Sequence, residues 1–339
     1  MQKLQLGEFK DNSDLHLFCG SFFKHQDIFF RDELPCYYPV KLSRDEYLKI
    51  HLLSVDVYKK YLPIMADYLN HKNGLTFSLR FWHPFLTLWL APLIINVVEK
   101  YVKLDNFISN NNNPFDFEII EVSGDVYFMD DQSFGHALMF SEVFNHYLSS
   151  LIILNHKNRL TKRGWSFKTK TVSLAFNEIF PRGNFVPPKG KIENIAGISK
   201  LSKIILNIFG MINQKKGIIV SPFDLPIDHS SVIPNIAWEK LLKDCCPNTY
   251  LNLKQLLQNT RTTKNFYIFS GYKLPIEKRL FVANAREQGS RVYISQHGSN
   301  YGDPFTSTRN YLCEYTLDGF LSWGWSQHKH HPANIIPLP

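Results

Sequence analysis

Three short segments late in the chain constrain the fold most: NFYIFSG (265–271), RVYISQ (291–296) and GFLSWGW (319–325). Their apolar residues are contiguous rather than alternating with polar ones, which marks strands buried on both faces. Pro275–Gln288 reads as a helix with proline near its start, between the first two strands. Strand–helix–strand order with such strands predicts an α/β fold, a parallel sheet with helices on both faces. Residues 291–296 are expected near the centre of that sheet. Upstream, LHLFCG (15–20) reads as a first strand and 44–70 as a helix. Ser43 and Glu46 have the spacing of a capping box at its start. Residues 79–104 read as one or two buried helices interrupted near Pro84 and Pro92. FDFEIIEVS (115–123) reads as a strand and 133–154 as a helix, followed by a helix over 197–213, a strand at 217–223 and a helix over 234–244. NIIPLP (334–339) ends the chain as strand.

The strand 291–296 runs into QHGSNYGD, where Gly298 and Gly302 permit positive φ and close backbone approach. In open α/β sheets, ligands bind beyond the carboxyl ends of strands. His297 there brings a side-chain type whose unperturbed form titrates near neutral pH. Gln296, Ser299, Asn300 and Tyr301 add donors and acceptors. The loop therefore suits a hydroxyl, phosphate or carboxylate ligand. The plainer reading is a glycine-rich turn whose histidine caps neighbouring carbonyls.

Charge is unevenly placed. The chain carries a formal +8, but residues 157–216 hold 13 Lys or Arg against Glu178 and Glu193, a net +11 that leaves −3 elsewhere. Within NHKNRLTKRGWSFKTKT (155–171), Lys157, Arg159, Lys162, Arg163, Lys168 and Lys170 are interspersed with Trp165 and Phe167. This reads as a solvated loop in a basic insertion over about 155–195, or as a surface for an anionic membrane or phospholipid-linked substrate. No nucleic-acid motif accompanies it, so nucleic acid is not expected as a partner.

Five cysteines without regular spacing argue against a disulfide framework and for a reducing compartment. No C-x-x-C pair is present, and the histidines of HKHHP (328–332) read as a solvated cluster, so no metal is expected. The start of the chain lacks the apolar core of a signal peptide. The apolar run FLTLWLAPLIINVV (85–98) is short for a membrane span, which favours a buried helix. A cytoplasmic location follows, with a peripheral position at the inner face of the membrane if the basic surface engages lipid.

ISQHGSNYGD, CEYTLDGFLSWGW (313–325) and NIIPLP occur in that order at close spacing. Together they resemble transferases encoded in bacterial O-antigen and surface-polysaccharide gene clusters. The family pattern has a QHGGNYG-like loop, a Glu, an Asp and an SWGW strand. Here these fall on Gln296, His297, Gly298, Asn300, Tyr301, Gly302, Glu314, Asp318 and Phe320 to Trp325, with Ser299 in place of the second glycine. SLRFWHPFLTLWL (78–90) is similar to an R-x-W segment of the same family. The resemblance implies a GT-B-like glycosyltransferase with a Rossmann-like parallel sheet, using a nucleotide-activated sugar donor and a glycan or lipid-linked acceptor, without a tightly bound cofactor. Residues 1–333 would be an acceptor-side domain, 334–339 the start of a connection to a donor domain beyond the chain, and this chain alone would not turn over.

Within that expectation His297 is the general base or a phosphate contact. Gly298, Ser299 and Asn300 offer N–H donors, Glu314 orients His297 or meets a sugar hydroxyl, and Arg80 contacts an anion or forms a structural ion pair. Trp323 and Trp325 alternate along a strand and so share a face, and core packing is expected for both rather than a sugar-stacking platform. Two other functions remain open: a non-catalytic binding or assembly protein of the same pathway, and a polyol-phosphate phosphotransferase.

Overall fold

Three parallel sheets, of five, four and two strands, organise the chain in a computed structural model that describes residues 2–6, 15–17, 36–37, 42–110, 114–124, 126–176, 236, 238–257, 266–270, 276–298, 301, 308–326 and 334–338. The chain divides into two compact units. The first comprises Met1–Val57, Pro92–Phe180 and Ser231–Leu251, and the second Tyr58–Ala91, Pro181–Ser230 and Asn252–Pro339. The helix and strand expected at 197–213 and 217–223, and the histidines of 328–332, lie outside the described residues.

The first unit opens with β1 (Gln2–Leu6), β2 (Leu15–Leu17) and β3 (Cys36–Tyr37). The segment 15–20 thus supplies the second strand, not the first. QKLQL alternates polar and apolar residues and lacks the contiguous apolar run that marks the later strands. Two long helices follow, α1 (Arg44–Asn73) and α2 (Leu79–Asn110); Arg44–Val57 and Pro92–Asn110 belong to the first unit, and Tyr58–Asn73 and Leu79–Ala91 to the second. The capping box forms as expected: Glu46 N–H donates to Ser43 Oγ at 3.3 Å and Ser43 N–H donates back to Glu46 Oε2. α2 runs unbroken through Pro84 and Pro92, contrary to the expected interruption. Phe81, Trp82, Phe85, Trp89 and Ile94 are fully buried, and that burial outweighs the roughly 3 kcal/mol cost of an interior proline. α2 is long and apolar enough to cross a bilayer, but 78% of its most apolar window is buried in the protein.

β4 (Phe115–Val122), β5 (Tyr127–Phe128), α3 (Asp131–Phe140), α4 (Glu142–Thr161), β6 (Ser166–Val172) and β7 (Ala175–Phe176) complete the sheets of this unit. The five-stranded sheet has the order β3-β2-β1-β4-β6, entirely parallel. Strand order reverses between β1 and β4, as in doubly wound sheets. On β4, β1 pairs with Phe115–Phe117. Beyond that point α4 supplies partners, with His146 bonding Glu118 O at 2.8 Å and Ser150 Oγ accepting from Ile120 N–H at 2.9 Å. The basic segment expected as a loop is the end of α4 followed by β6, whose Ser166–Val172 pairs along β4. Its lysines mask the β-branched residues that would otherwise mark a strand. α5 (Trp238–Asp244) and α6 (Asn248–Leu251) close the unit.

The second unit holds α7 (Leu253–Leu257), β8 (Phe266–Ser270), α8 (Ile276–Glu287), β9 (Arg291–Ser295), α9 (Thr308–Asn310), a π-helical turn (Tyr311–Tyr315), β10 (Gly319–Trp323) and β11 (Ile335–Leu338). Its sheet has the order β11-β10-β9-β8, all parallel. β9 is interior and almost wholly buried, as expected for 291–296. Gly319 admits the Tyr293 ring, because a Cβ there would come within 2.6 Å of Tyr293 Cε1.

Asp318, 1% exposed, ties this unit together. Arg286 grips its carboxylate with two donors at 3.0 and 3.2 Å. Val292 N–H donates to the same carboxylate at 2.8 Å, and Arg80 Nη2 at 3.4 Å. Arg286 also faces His83 Nδ1 at 3.4 Å, while His83 Nε2 meets Thr316 Oγ1 at 2.9 Å. Burial first, and then the Arg286 charge, push His83 down to about 3. His83 is therefore neutral, with Nδ1 accepting and Nε2–H donating.

Two outcomes follow for stability. Asp318→Ala leaves the buried Arg286 charge unmatched and should cost about 3–5 kcal/mol in denaturant unfolding; a loss below about 1 kcal/mol would contradict the role of this carboxylate. The unfolded His83 imidazole takes a proton below its ordinary value and the folded one does not, so its contribution is intact above about pH 6.5 and fades as pH falls toward 3. Between pH 7 and pH 5, wild type should lose roughly 2 kcal/mol more than His83→Asn; equal losses would show that His83 charges freely in the fold.

Candidate functional site

β9 ends at Ser295, and its ladder extends one step further, with Gln296 N–H donating to Leu321 O at 2.8 Å. The Gln296 side chain then brackets the turn. Its Oε1 accepts from Trp323 N–H and from the Trp325 indole N–H, each at 2.9 Å, and its Nε2 donates to Gly298 O at 2.8 Å. Gln296 is buried and fully engaged, so it positions the loop rather than offering itself to a ligand. His297 lies inside this bracket with its side chain 44% exposed.

Behind His297 stand Tyr301 and Glu314. Tyr301 Oη is 2.5 Å from His297 Nε2, and Glu314 Oε1 is 3.5 Å from the same nitrogen. The π-helical turn that carries Glu314 is buried throughout, and its wider turn sets the carboxylate inward; such turns recur at functional sites. Burial raises the Tyr301 pKa above the ordinary phenol value, and the adjoining Glu314 carboxylate raises it further. Tyr301 therefore stays a phenol and donates to Glu314, which can only accept. His297 Nε2–H then points at the Tyr301 oxygen and the carboxylate. That tautomer leaves the lone pair on Nδ1, in a side chain that is 44% exposed. The chemistry available is proton acceptance at Nδ1, with the carboxylate stabilising the imidazolium that results.

Aromatic rings hold the arrangement. Tyr301 stacks on Phe320 at 5.3 Å, and Tyr315 packs edge-on to Phe320 at 4.6 Å and to Trp325 at 5.7 Å. Trp323 and Trp325 do not share a face. β10 ends at Trp323, and Gly324 at φ +85° turns the chain so that Trp325 packs inward. Trp323 is 59% exposed, which overturns its expected place in the core. A Trp-Gly-Trp read as continuous strand hides this reversal, and the only sequence signal for it is Gly324 itself.

The remaining expected site residues divide. Ser299, Asn300 and Gly302 lie outside the described residues. Arg80 is engaged structurally, its guanidinium donating to Arg286 O at 3.1 Å and Ser290 O at 3.2 Å besides Asp318. Lys157, Arg159, Lys162, Lys168 and Lys170 are exposed in the first unit. Arg163 is half-buried and donates to Ile108 O at 2.7 Å near the end of α2. His83 and Arg286 escape a reading of the sequence, because nothing in RFWHP or ANARE distinguishes a buried polar network from a surface one. Among the described residues no cluster of three or more His, Cys, Asp or Glu could hold a metal ion.

A histidine backed by a carboxylate thus stands at the carboxyl end of a parallel strand, where open α/β sheets bind ligands. The chain belongs to the LIC12162 family transferases, whose family model matches residues 3–232 and 228–339. No curated protein and no solved structure matches the chain.

Removing the bracket tests how the site is held. Gln296→Ala deprives Trp323 N–H and the Trp325 indole of their acceptor and should destabilise the protein by about 1–3 kcal/mol. Trp325 fluorescence should become more accessible to acrylamide. An unchanged melting temperature and unchanged quenching would contradict the positioning role.

Proposed function

We propose that this protein is a glycosyltransferase of the GT-B type acting in bacterial surface-polysaccharide biosynthesis. Family membership supports the transferase class. The observation that carries the finer reading is the His297–Tyr301–Glu314 chain at the carboxyl end of β9, which engages Nε2 of the half-exposed imidazole and leaves Nδ1 for a substrate. The motif resemblance supports the sugar and the pathway.

In this reading the donor is a nucleotide-activated sugar and the acceptor a glycan or lipid-linked hydroxyl. His297 Nδ1 takes the proton of the acceptor hydroxyl as its oxygen bonds to the anomeric carbon. The bond from that carbon to the phosphate oxygen breaks, and the nucleoside diphosphate leaves with the electron pair. Glu314 stabilises the charged imidazole, and Tyr301 holds the ring in register. N–H groups at Gly298, Ser299 and Asn300 supply donors to phosphate. The exposed lysines of α4 and β6 hold the protein at the anionic inner face of the membrane, which suits a lipid-linked acceptor.

Joined to the donor domain that the resemblance implies, the chain incubated with nucleotide sugars and an acceptor extract should release nucleoside diphosphate with one donor. His297→Ala should lower that rate roughly 10²–10⁴-fold. His297→Gln should not restore it, since an amide takes up no proton near neutral pH. Restoration by Gln would mean a phosphate contact instead of a base, and unchanged kinetics in His297→Ala would leave the loop as a turn.

The membrane component is checked by liposome flotation. Anionic vesicles should carry the protein and neutral vesicles should not, with charge reversal at Lys162 and Lys168 abolishing flotation. Salt should weaken it, because exposed charges are screened over about 8 Å at physiological ionic strength. Equal flotation with neutral vesicles would contradict the lipid surface.

A further inference from the structure

We infer that Trp323 is the stacking platform for a pyranose ring of the acceptor, presented beside the proton-accepting nitrogen of His297. The inference rests on the reading of His297 as the base and adds the group that would hold its substrate. Three observations carry it. Trp323 has the most exposed large apolar side chain among the described residues, 59%, although the four residues before it in β10 are buried. Its backbone is nevertheless fixed: Trp323 N–H donates to Gln296 Oε1 at 2.9 Å, and Gly324 turns the chain immediately afterwards. An exposed indole on a pinned backbone is presented to solvent, not left there by a loose loop.

Register supplies the third observation. β9 and β10 are parallel, with Leu321 opposite Ser295. Carried two residues past the last pair, the same register sets Trp323 across from His297, on neighbouring segments about 4.8 Å apart. Gln296 bonds both sides of this pair, through Trp323 N–H and Gly298 O. An indole face beside an imidazole matches a ring with an apolar C–H face and a hydroxyl at its edge. A pyranose has both: its C–H face lies on the indole while an equatorial hydroxyl reaches Nδ1. Since His297 acts on the acceptor hydroxyl, the stacked ring is the acceptor's and not the donor's.

Intrinsic fluorescence reads this site selectively. Of the six tryptophans, Trp82, Trp89, Trp165 and Trp238 are buried and Trp325 is half-buried, so acrylamide quenching reports chiefly on Trp323. Methyl pyranosides of several configurations, and separately nucleoside diphosphates, would be titrated against the full chain. At least one pyranoside should protect the wild-type fluorescence and bind in calorimetry, Trp323→Ala should abolish that calorimetric binding, and Trp323→Tyr should keep it. In the transfer assay Trp323→Ala should raise the acceptor KM about tenfold, with the donor KM unchanged. Protection by nucleoside diphosphates alone, or by no probe, would overturn the inference, as would an unchanged acceptor KM. Loss of transfer in His297→Ala with no effect of Trp323→Ala defeats the platform and spares the proposed function. Pyranoside protection without turnover of any donor keeps the platform and defeats the transferase reading.

Discussion

The second unit depends on one buried carboxylate. Asp318 receives both arms of Arg286, the backbone N–H of Val292 and a donor from Arg80. A charge so buried is tolerated only when paired and hydrogen-bonded on each side. Meeting that requirement fixes the start of β9, the end of α8 and the approach to β10 around a single point. The neutral His83 completes the shell by accepting from Arg286 while donating toward Thr316. Asp318 thus serves the site without belonging to it, because it sets where β9 and β10 begin.

The site then forms at the other end of the same two strands. With their register set, Gln296 reaches across from β9 to Trp323 and Trp325 and turns the chain at His297. Glu314 arrives from the π-helical turn between the strands, ahead of Asp318 in the chain. The two ends differ in chemistry for a physical reason. Asp318 is saturated by two guanidinium groups and a backbone N–H, whereas Glu314 faces the Tyr301 phenol and the His297 imidazole.

Much of this is legible in the residues. Contiguous apolar runs mark β8 and β9, whose interior burial leaves no polar face to alternate. The capping box at Ser43 and Glu46 is readable because caps are local. QHG at a strand end points to His297, and the motif order points to Glu314. What escapes depends on long-range contacts or on single backbone angles. Polar alternation hides β1, and lysines hide β6. The prolines of α2 suggest breaks that burial overrides. Gln296 looks like a ligand contact in its motif, but its side chain is spent on Trp323, Trp325 and Gly298 across a gap in sequence that no local pattern reports. Trp323 and Trp325 look like neighbours on one face because the positive φ at Gly324 is not visible in a strand-like string.

The central claim is that Glu314 and Tyr301 hold His297 in the tautomer with Nε2 protonated and Nδ1 free. Nitrogen NMR of the protein labelled at histidine side chains measures this directly, with His297→Gln identifying the resonance. The neutral ring should show a protonated Nε2 and an unprotonated Nδ1, and Glu314→Gln should erode that preference. A ring protonated at Nδ1, or a tautomer indifferent to Glu314→Gln, would contradict the account.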